Sequence, residues 1–366
     1  MTEFIIISEC LICNQEFILK TDNDLYCSKC NGSYNFIELC AGAGGLSLGL
    51  INTGMKPVLL NDNNRDCCAT LKKNHPGYNI LHGNMEEIYY DQYIGKIDLL
   101  TGGVPCQSFS QAGKRKGLKD KRGDLMLQFS KILNLIKPKM FMIENVKGLL
   151  SHNNGETIVE ILEHLNKNNL YTIKYKCMDA SKYNVPQKRE RVFIVGILKQ
   201  YNTEFQFPEE CKNKIYLKDI LKDVPISDCA KYTEEKINLF KQIPQGGCWI
   251  NLPEELQKLY LGKSYYSGGG KRGILHRLSM DKPSLTLLCS PSQKQTERCH
   301  PLENRPLSVR EYARIQTFPD TYEFIGSMSS KYKQIGNAVP VKLAEILGKC
   351  IVNTLEILNM WHKFNL

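Results

Sequence analysis

Between residues 34 and 200, short apolar runs alternate with longer amphipathic stretches, and this alternation restricts the fold more than any other feature of the chain. Residues 34–40, 58–61, 97–101, 140–145 and 192–198 read as strands, and 46–54, 124–136 and 156–168 as helices. Strands alternating with helices predict βαβ units and a parallel sheet covered on both faces. After residue 198 the alternation stops. Gln245-Gly246-Gly247 and Ser267-Gly268-Gly269-Gly270-Lys271-Arg272 are turn signals, so 200–300 is expected to be a second domain of mixed, irregular structure. Helices are expected again at 307–316 and 341–361. A length of 366 residues fits two or three folded units.

Hydrophobic residues make up 42% and charged residues 23%, which excludes a largely disordered chain. No apolar run nears the ~18 residues that would span a bilayer. Met1-Thr2-Glu3-Phe4 has no cationic flank, so no secretory signal is expected and the chain should work in the cytoplasm. Lys and Arg number 48 against 38 Asp and Glu, a formal +10, which leans toward a polyanionic partner. The 15 cysteines do not suit a disulfide framework in a chain this long, so reduced thiols are expected. Four of them stand apart. Cys10-Leu11-Ile12-Cys13 and Cys27-Ser28-Lys29-Cys30 are two C-x-x-C pairs, the pattern that closes a tetrahedral zinc site. Residues 1–33 are therefore expected to form a zinc-ribbon-like unit folded around the metal. A redox pair is the lesser alternative.

The first strand runs into Ala41-Gly42-Ala43-Gly44-Gly45, with a helix from Leu46. A strand, a Gly-rich turn and a helix start make a cofactor corner, and Asp62, twenty residues after Gly42, is placed to bond ribose hydroxyls. A dinucleotide fingerprint wants Gly or Ala at position 47, where Ser47 stands. Gly103-Val104-Pro105-Cys106-Gln107 follows the strand at 97–101, and Pro105 stiffens a turn that would present the Cys106 thiol. Beyond it, Lys114, Arg115, Lys116 and Arg122 form a cationic stretch. Glu144 ends the next strand among apolar neighbours, where a carboxyl group can act as a proton donor. Arg189 and Arg191 precede the strand at 192–198 and share a face if it begins early enough, to clamp a phosphate or a carbonyl oxygen.

In this order the motifs resemble those of the C5-cytosine-specific DNA methyltransferases, from residue 36 to about 358. Residues 36–46 resemble the family's S-adenosylmethionine loop, Pro105-Cys106-Gln107 its nucleophile motif, Glu144-Asn145-Val146 its acid motif, and Gln187/Arg189/Arg191 its Q-x-R-x-R motif. Arg305-Pro306-Leu307-Ser308-Val309-Arg310-Glu311, Gln316-Thr317-Phe318-Pro319-Asp320 and Gln334-Ile335-Gly336-Asn337-Ala338-Val339-Pro340 resemble its later motifs. The resemblance implies an α/β, Rossmann-like S-adenosylmethionine-dependent methyltransferase domain of residues 34–200 and 301–366, its last helix returning beside the first strand. It also implies a target-recognition domain at 201–300. For the cofactor it implies Phe36, Gly42, Gly44, Gly45, Leu46, Asp62, Asn63, Asn84, Pro105, Asn337 and Ala338. Asn84 and Asp62 stand where the family often has Asp and Glu. For catalysis it implies Cys106 attacking C6 of a flipped cytosine, with Gln107 beside it. Glu144 would bond N3 and the amino group, Arg191 would hold O2, and Arg189 the nucleophile loop or a phosphate.

Duplex DNA is the implied partner, with contacts expected from the cationic stretch and from Lys271, Arg272, Gln293 and Arg298. A bacterial restriction–modification setting, a cognate endonuclease and a monomeric state complete the expectation. Cytosine methylation of RNA is the runner-up, although the Cys-Phe-Thr tripeptide associated with the transfer-RNA branch is absent. A DNA-binding regulator with an inactive catalytic domain and a nicotinamide oxidoreductase are further alternatives. Intact Cys, Glu and Arg motifs argue against the former, and Ser47 against the latter.

Overall fold

The computed structural model describes residues 7–9, 16–18, 34–105, 124–266, 274–293 and 297–364. These fall into two compact units, one within Met1–Met178, Glu190–Glu209 and Ala344–Leu366, the other within Asp179–Arg189 and Glu210–Leu343. The stretch 301–343, expected with the catalytic domain, thus belongs to the second unit.

The first unit holds two sheets. Strands β1 (Ile7–Glu9) and β2 (Glu16–Ile18) pair antiparallel, with Ser8 opposite Phe17. The large sheet has seven strands: β3 (Asn35–Leu39), β4 (Lys56–Asp62), β5 (Ile80–His82), β6 (Leu99–Gly102), β7 (Met140–Val146), β8 (Tyr171–Asp179) and β9 (Glu190–Leu198), in the order β5-β4-β3-β6-β7-β9-β8. Strands β3 to β7 pair parallel, but β9 runs antiparallel to β7. The expected parallel sheet is therefore mixed, with one antiparallel pairing at this strand, because apolar patterning carries no strand direction. All five residues of β3 are buried, as in a strand covered on both faces.

The helices follow from local chemistry. Helix α1 (Gly45–Ile51) starts after Gly44, whose φ of 82° is the left-handed conformation that glycine adopts without a Cβ clash. Helix α2 (Arg65–Asn74) is capped by the Asn64 side chain, which accepts from the Cys67 amide, and it carries Asp66 in its first turn and Lys72 and Lys73 in its last. Helix α3 (Asp124–Ile136) buries Met126, Phe129, Leu133 and Ile136, a single stripe at helical spacing that joins the core with Ile37, Leu39 and Leu100. Helix α4 (Glu156–Leu165) buries Ile158, Ile161 and Leu165 against the same core. The last helix ends in this unit as expected: Asn359 donates to the Tyr34 hydroxyl at 3.2 Å and accepts from Lys139 at 3.1 Å.

The second unit has its own core of Tyr232, Leu239, Phe240, Ile243, Leu275 and Cys299. Ser308 and Glu311 form a capping box at the start of the helix Val309–Ile315, and both Glu311 oxygens accept from Arg305 at 2.8 Å. The Arg305–Glu311 stretch singled out in the sequence is thus a helix start bolted by a bidentate ion pair. Among the described residues no helix is long and apolar enough to cross a membrane.

Candidate active site

Strand order reverses at β3, with β4 on one side and β6 on the other, and such a switch point opens a crevice at the carboxyl ends of the strands. Register sets what lines it. Leu39 pairs with both Asn61 and Gly102, and Gly102 with Ile143. One residue further along each strand, Cys40, Asp62, Gly103 and Glu144 therefore stand at one level. Gly102 has no alternative, since a Cβ there would lie 2.3 Å from the Leu39 carbonyl oxygen.

On the β4 side the Gly-rich turn is held by Asp62. One of its oxygens accepts from the Gly42 amide and the other from the Asn64 amide, both at 2.8 Å. A carboxylate oxygen can accept more than one hydrogen bond, a chemistry that suits ribose hydroxyls. A Cβ placed on Gly42 would meet nothing within 4 Å, so the turn leaves room above its backbone. Asn61 donates to the carbonyls of Leu81 and Gly83, fixing the loop that carries exposed Asn84, whose amide in turn donates to Glu87 at 2.8 Å. An acid at ribose reach and an open glycine turn fit S-adenosylmethionine. Asn63 is exposed beside the turn, and Gly44, Gly45 and Leu46 are buried at the start of α1. Phe36 is a correction: it is fully buried in the sheet, paired with Pro57 and Leu99, and serves the core.

Glu38, on β3 behind the turn, is 2% exposed, and burial, reinforced by nearby Asp62, pushes its carboxyl up to about 8 although Ser47 bonds it. An acid whose folded value is raised stabilises the fold least where it must ionise, so stability falls between about pH 4.5 and 8. Glu38→Gln removes this titration. Its unfolding free energy should gain on that of the parent by roughly 4 kcal/mol from pH 5 to 8.5, with the melting temperature rising in step. A pH-independent offset in thermal melts would contradict this placement of Glu38.

On the other side, the antiparallel pairing of β7 and β9 sets Val146 opposite Arg191 and Glu144 opposite Phe193. Glu144 and Arg191 thus share one face, and Arg191 Nε meets Glu144 Oε1 at 2.9 Å, with both side chains largely buried. Asn145 points to the opposite face and donates to the Val104 carbonyl at 2.9 Å. Pro105, at the mouth of the loop, is exposed. The crevice therefore offers a carboxylate and a guanidinium side by side, an acceptor next to a donor.

In the second unit Gln187, Arg189 and the late motifs form one hydrogen-bonded assembly. Gln187 accepts from the Leu287 amide and donates to Gln316, both at 2.9 Å, and Gln316 donates to the carbonyls of Ile335 and Ala338. Arg189 is 1% exposed and donates to the carbonyls of Leu287 and Gly336. The guanidinium is enclosed and engaged with main chain, which leaves no exposed surface for a phosphate; residues 106–123 of the nucleophile loop lie outside the described residues. Asn337 is exposed at the end of the helix Met328–Asn337, and Ala338 is buried behind it. Arg298 is corrected too. It is 8% exposed, donates to the Glu297 carbonyl, and burial holds its guanidinium below the ordinary arginine range, so it is not a surface contact for DNA. Gln293 is exposed, as a DNA contact requires.

Residues 34–353 match the C-5 cytosine-specific DNA methylase family. The chain belongs to that family. The methylase is 47% identical over 339 residues to the Type II methyltransferase M.Eco47II of Escherichia coli, covering 90% of this chain and 81% of that one. It is 48% identical over 336 residues to the Type II methyltransferase M.Sau96I of Staphylococcus aureus, covering 90% and 78%. Its fold is also that of the S. pombe Dnmt2 methyltransferase crystal structure, with a TM-score of 0.63 over 88% of this chain and 99% of that one, at 16% identity.

Several expected residues of the methylase lie outside the described ones: Cys106 and Gln107, the cationic Lys114, Arg115, Lys116 and Arg122, the recognition-loop Lys271 and Arg272, and Cys10, Cys13, Cys27 and Cys30. The sequence pointed to no role of their own for Asn145, Asn61 and Glu38. For Asn145 a signal existed, since the residue after a strand's acid must face the other way.

Proposed function

We propose that the methylase transfers a methyl group to C5 of cytosine in duplex DNA, as the modification enzyme of a restriction–modification system, with Cys106 as nucleophile. The Glu144–Arg191 pair at the carboxyl edge of β7 carries this reading. A carboxylate beside a guanidinium matches the donor and acceptor edge of cytosine, with Glu144 toward N3 and the amino group and Arg191 toward O2. The Type II methyltransferases it resembles support the restriction–modification setting. A cognate endonuclease acting on the same site and a cytoplasmic, monomeric enzyme are proposed with it.

C5 of cytosine is a poor nucleophile at neutral pH, and covalent addition divides the difficulty into two steps. Cys106, as thiolate, adds to C6. Glu144 favours protonation at N3, which draws the addition forward, and Arg191 holds O2 so that the ring faces the thiolate. S-adenosylmethionine, held by Asp62 and the glycine turn, supplies the activated methyl group. Loss of the C5 proton and departure of Cys106 then restore the aromatic ring. The base must leave the helix for this, at a cost of ~a few kcal/mol, and the cations at 114–122 are suited to hold the opened duplex. Target reading is assigned to 201–300, with Lys271, Arg272 and Gln293 as contacts. Tritiated S-adenosylmethionine offered with plasmid DNA and with transfer RNA tests the substrate. Label in DNA is expected, and label confined to RNA would overturn the assignment.

Cys10, Cys13, Cys27 and Cys30 are further proposed to bind one structural zinc. Four thiolates in two C-x-x-C pairs support this, as does the paired β1–β2, which flanks the first pair in sequence. Metal analysis of the purified chain should find one zinc per molecule, lost in the double substitution Cys27→Ser with Cys30→Ser. A chain without metal would contradict it.

A further inference from the structure

We propose that Asn145 is a positioning residue that sets the nucleophile loop, an inference resting on the assignment of Cys106 above. Asn145 is 5% exposed, at the carboxyl end of β7. Its Nδ2 donates to the Val104 carbonyl at 2.9 Å, while its Oδ1 accepts from the Val146 amide at 2.8 Å. These two bonds fix the carboxamide's orientation, because a flipped amide would set oxygen against the carbonyl and NH2 against the amide hydrogen. The loop is thus pinned two residues before Cys106.

The rest of the loop's base is equally constrained. Thr101 donates from Oγ1 to the Met142 carbonyl at 2.8 Å, tying β6 to β7. Gly102 lies too close to the Leu39 carbonyl to carry a side chain. The Val104 side chain, 1% exposed, is anchored in the core. The Val104 carbonyl, polar and at the crevice end of this segment, is held by the Asn145 donor. Alternation along β7 therefore divides the labour: Glu144 faces the crevice and pairs with Arg191, while Asn145, one residue on, faces away and holds the Val104 carbonyl of the neighbouring loop. Misplacement of a reacting group by about 1 Å costs on the order of 10²-fold in rate.

Asn145→Asp keeps the shape and the acceptor to Val146 but removes the donor, and Asn145→Ala removes the donor without adding charge. Both should lower kcat on the order of 10²-fold, with the Kd for S-adenosylmethionine, by calorimetry, and the KM for plasmid DNA within about twofold of the parent. Asn145→Gln, which keeps a carboxamide, should recover part of kcat. Circular dichroism checks the fold, and if the Asp variant does not fold the Ala variant decides. A folded Asp or Ala variant with the parent's kcat overturns the latch, as does a loss confined to KM. Cys106→Ala is assayed alongside. If it still transfers methyl groups the nucleophile assignment fails, whereas if it is dead while Asn145→Asp is fully active, the latch alone fails.

Discussion

Cys106→Ala will abolish methyl transfer while leaving S-adenosylmethionine binding intact. Without a thiolate there is no addition at C6, and an aromatic pyrimidine carbon does not take up a methyl group at a useful rate on its own. The loss should be at least roughly 10⁴-fold, because the remaining residues can orient the reactants but cannot replace the covalent step. Cofactor affinity should stay within about twofold of the parent, since the groups expected to hold it, Asp62 and the glycine turn at the ends of β4 and β3, are unchanged by the substitution. A tritiated-methyl assay and calorimetry separate the two quantities. Substantial transfer by the alanine variant would remove Cys106 from the chemistry.

Glu144→Gln should bring the next largest loss, on the order of 10³-fold in kcat, because an amide cannot favour protonation at N3 as a carboxyl group does. A second effect accompanies it. Glu144 and Arg191 are mostly buried and bonded to each other, so removing one charge leaves the other poorly compensated and should cost roughly 2 kcal/mol of stability. Arg191→Lys keeps the charge but loses the guanidinium's fixed geometry, and it should lower kcat less than Glu144→Gln does. The double variant distinguishes the two roles. If the residues act as a pair, its stability loss will fall short of the sum of the single losses, while its activity will be no better than that of Glu144→Gln.

Where the sequence was legible, the reason is burial pattern. The strands at 34–40 and 140–145 and the helix at 124–136 were readable because continuous apolar runs, or a 3.6-residue stripe, have no other stable use in a chain of this composition. Strand β8 was not, because it lies at the sheet edge and its residues, Tyr171-Thr172-Ile173-Lys174-Tyr175-Lys176 among them, are mostly only half-buried. Strand β5, with three residues, is too short for any periodicity. Helix α2 was missed because its buried residues are Cys67, Cys68, Thr70 and Leu71, a weakly apolar set. In the crevice, Glu144 and Arg191 were legible from their strand ends. Arg298 as a DNA contact and Arg189 as a phosphate contact misled for a shared reason: sequence displays a charge but not its burial, and both guanidinium groups are enclosed against main-chain carbonyls. Asn145, named within the acid motif, was given no role of its own: alternation placed it on the face away from Glu144, but its partner is a backbone carbonyl forty-one residues away, which spacing alone does not identify.

The pieces meet in one testable statement, that this chain writes 5-methylcytosine into DNA at defined sites. Bisulfite sequencing of a naive plasmid, recovered after expression of the full chain, reads this directly. The expected result is protection of one cytosine within a single recurring sequence on the plasmid, absent when Cys106→Ala is expressed. A plasmid with no new 5-methylcytosine, from cells holding soluble protein, would contradict the account.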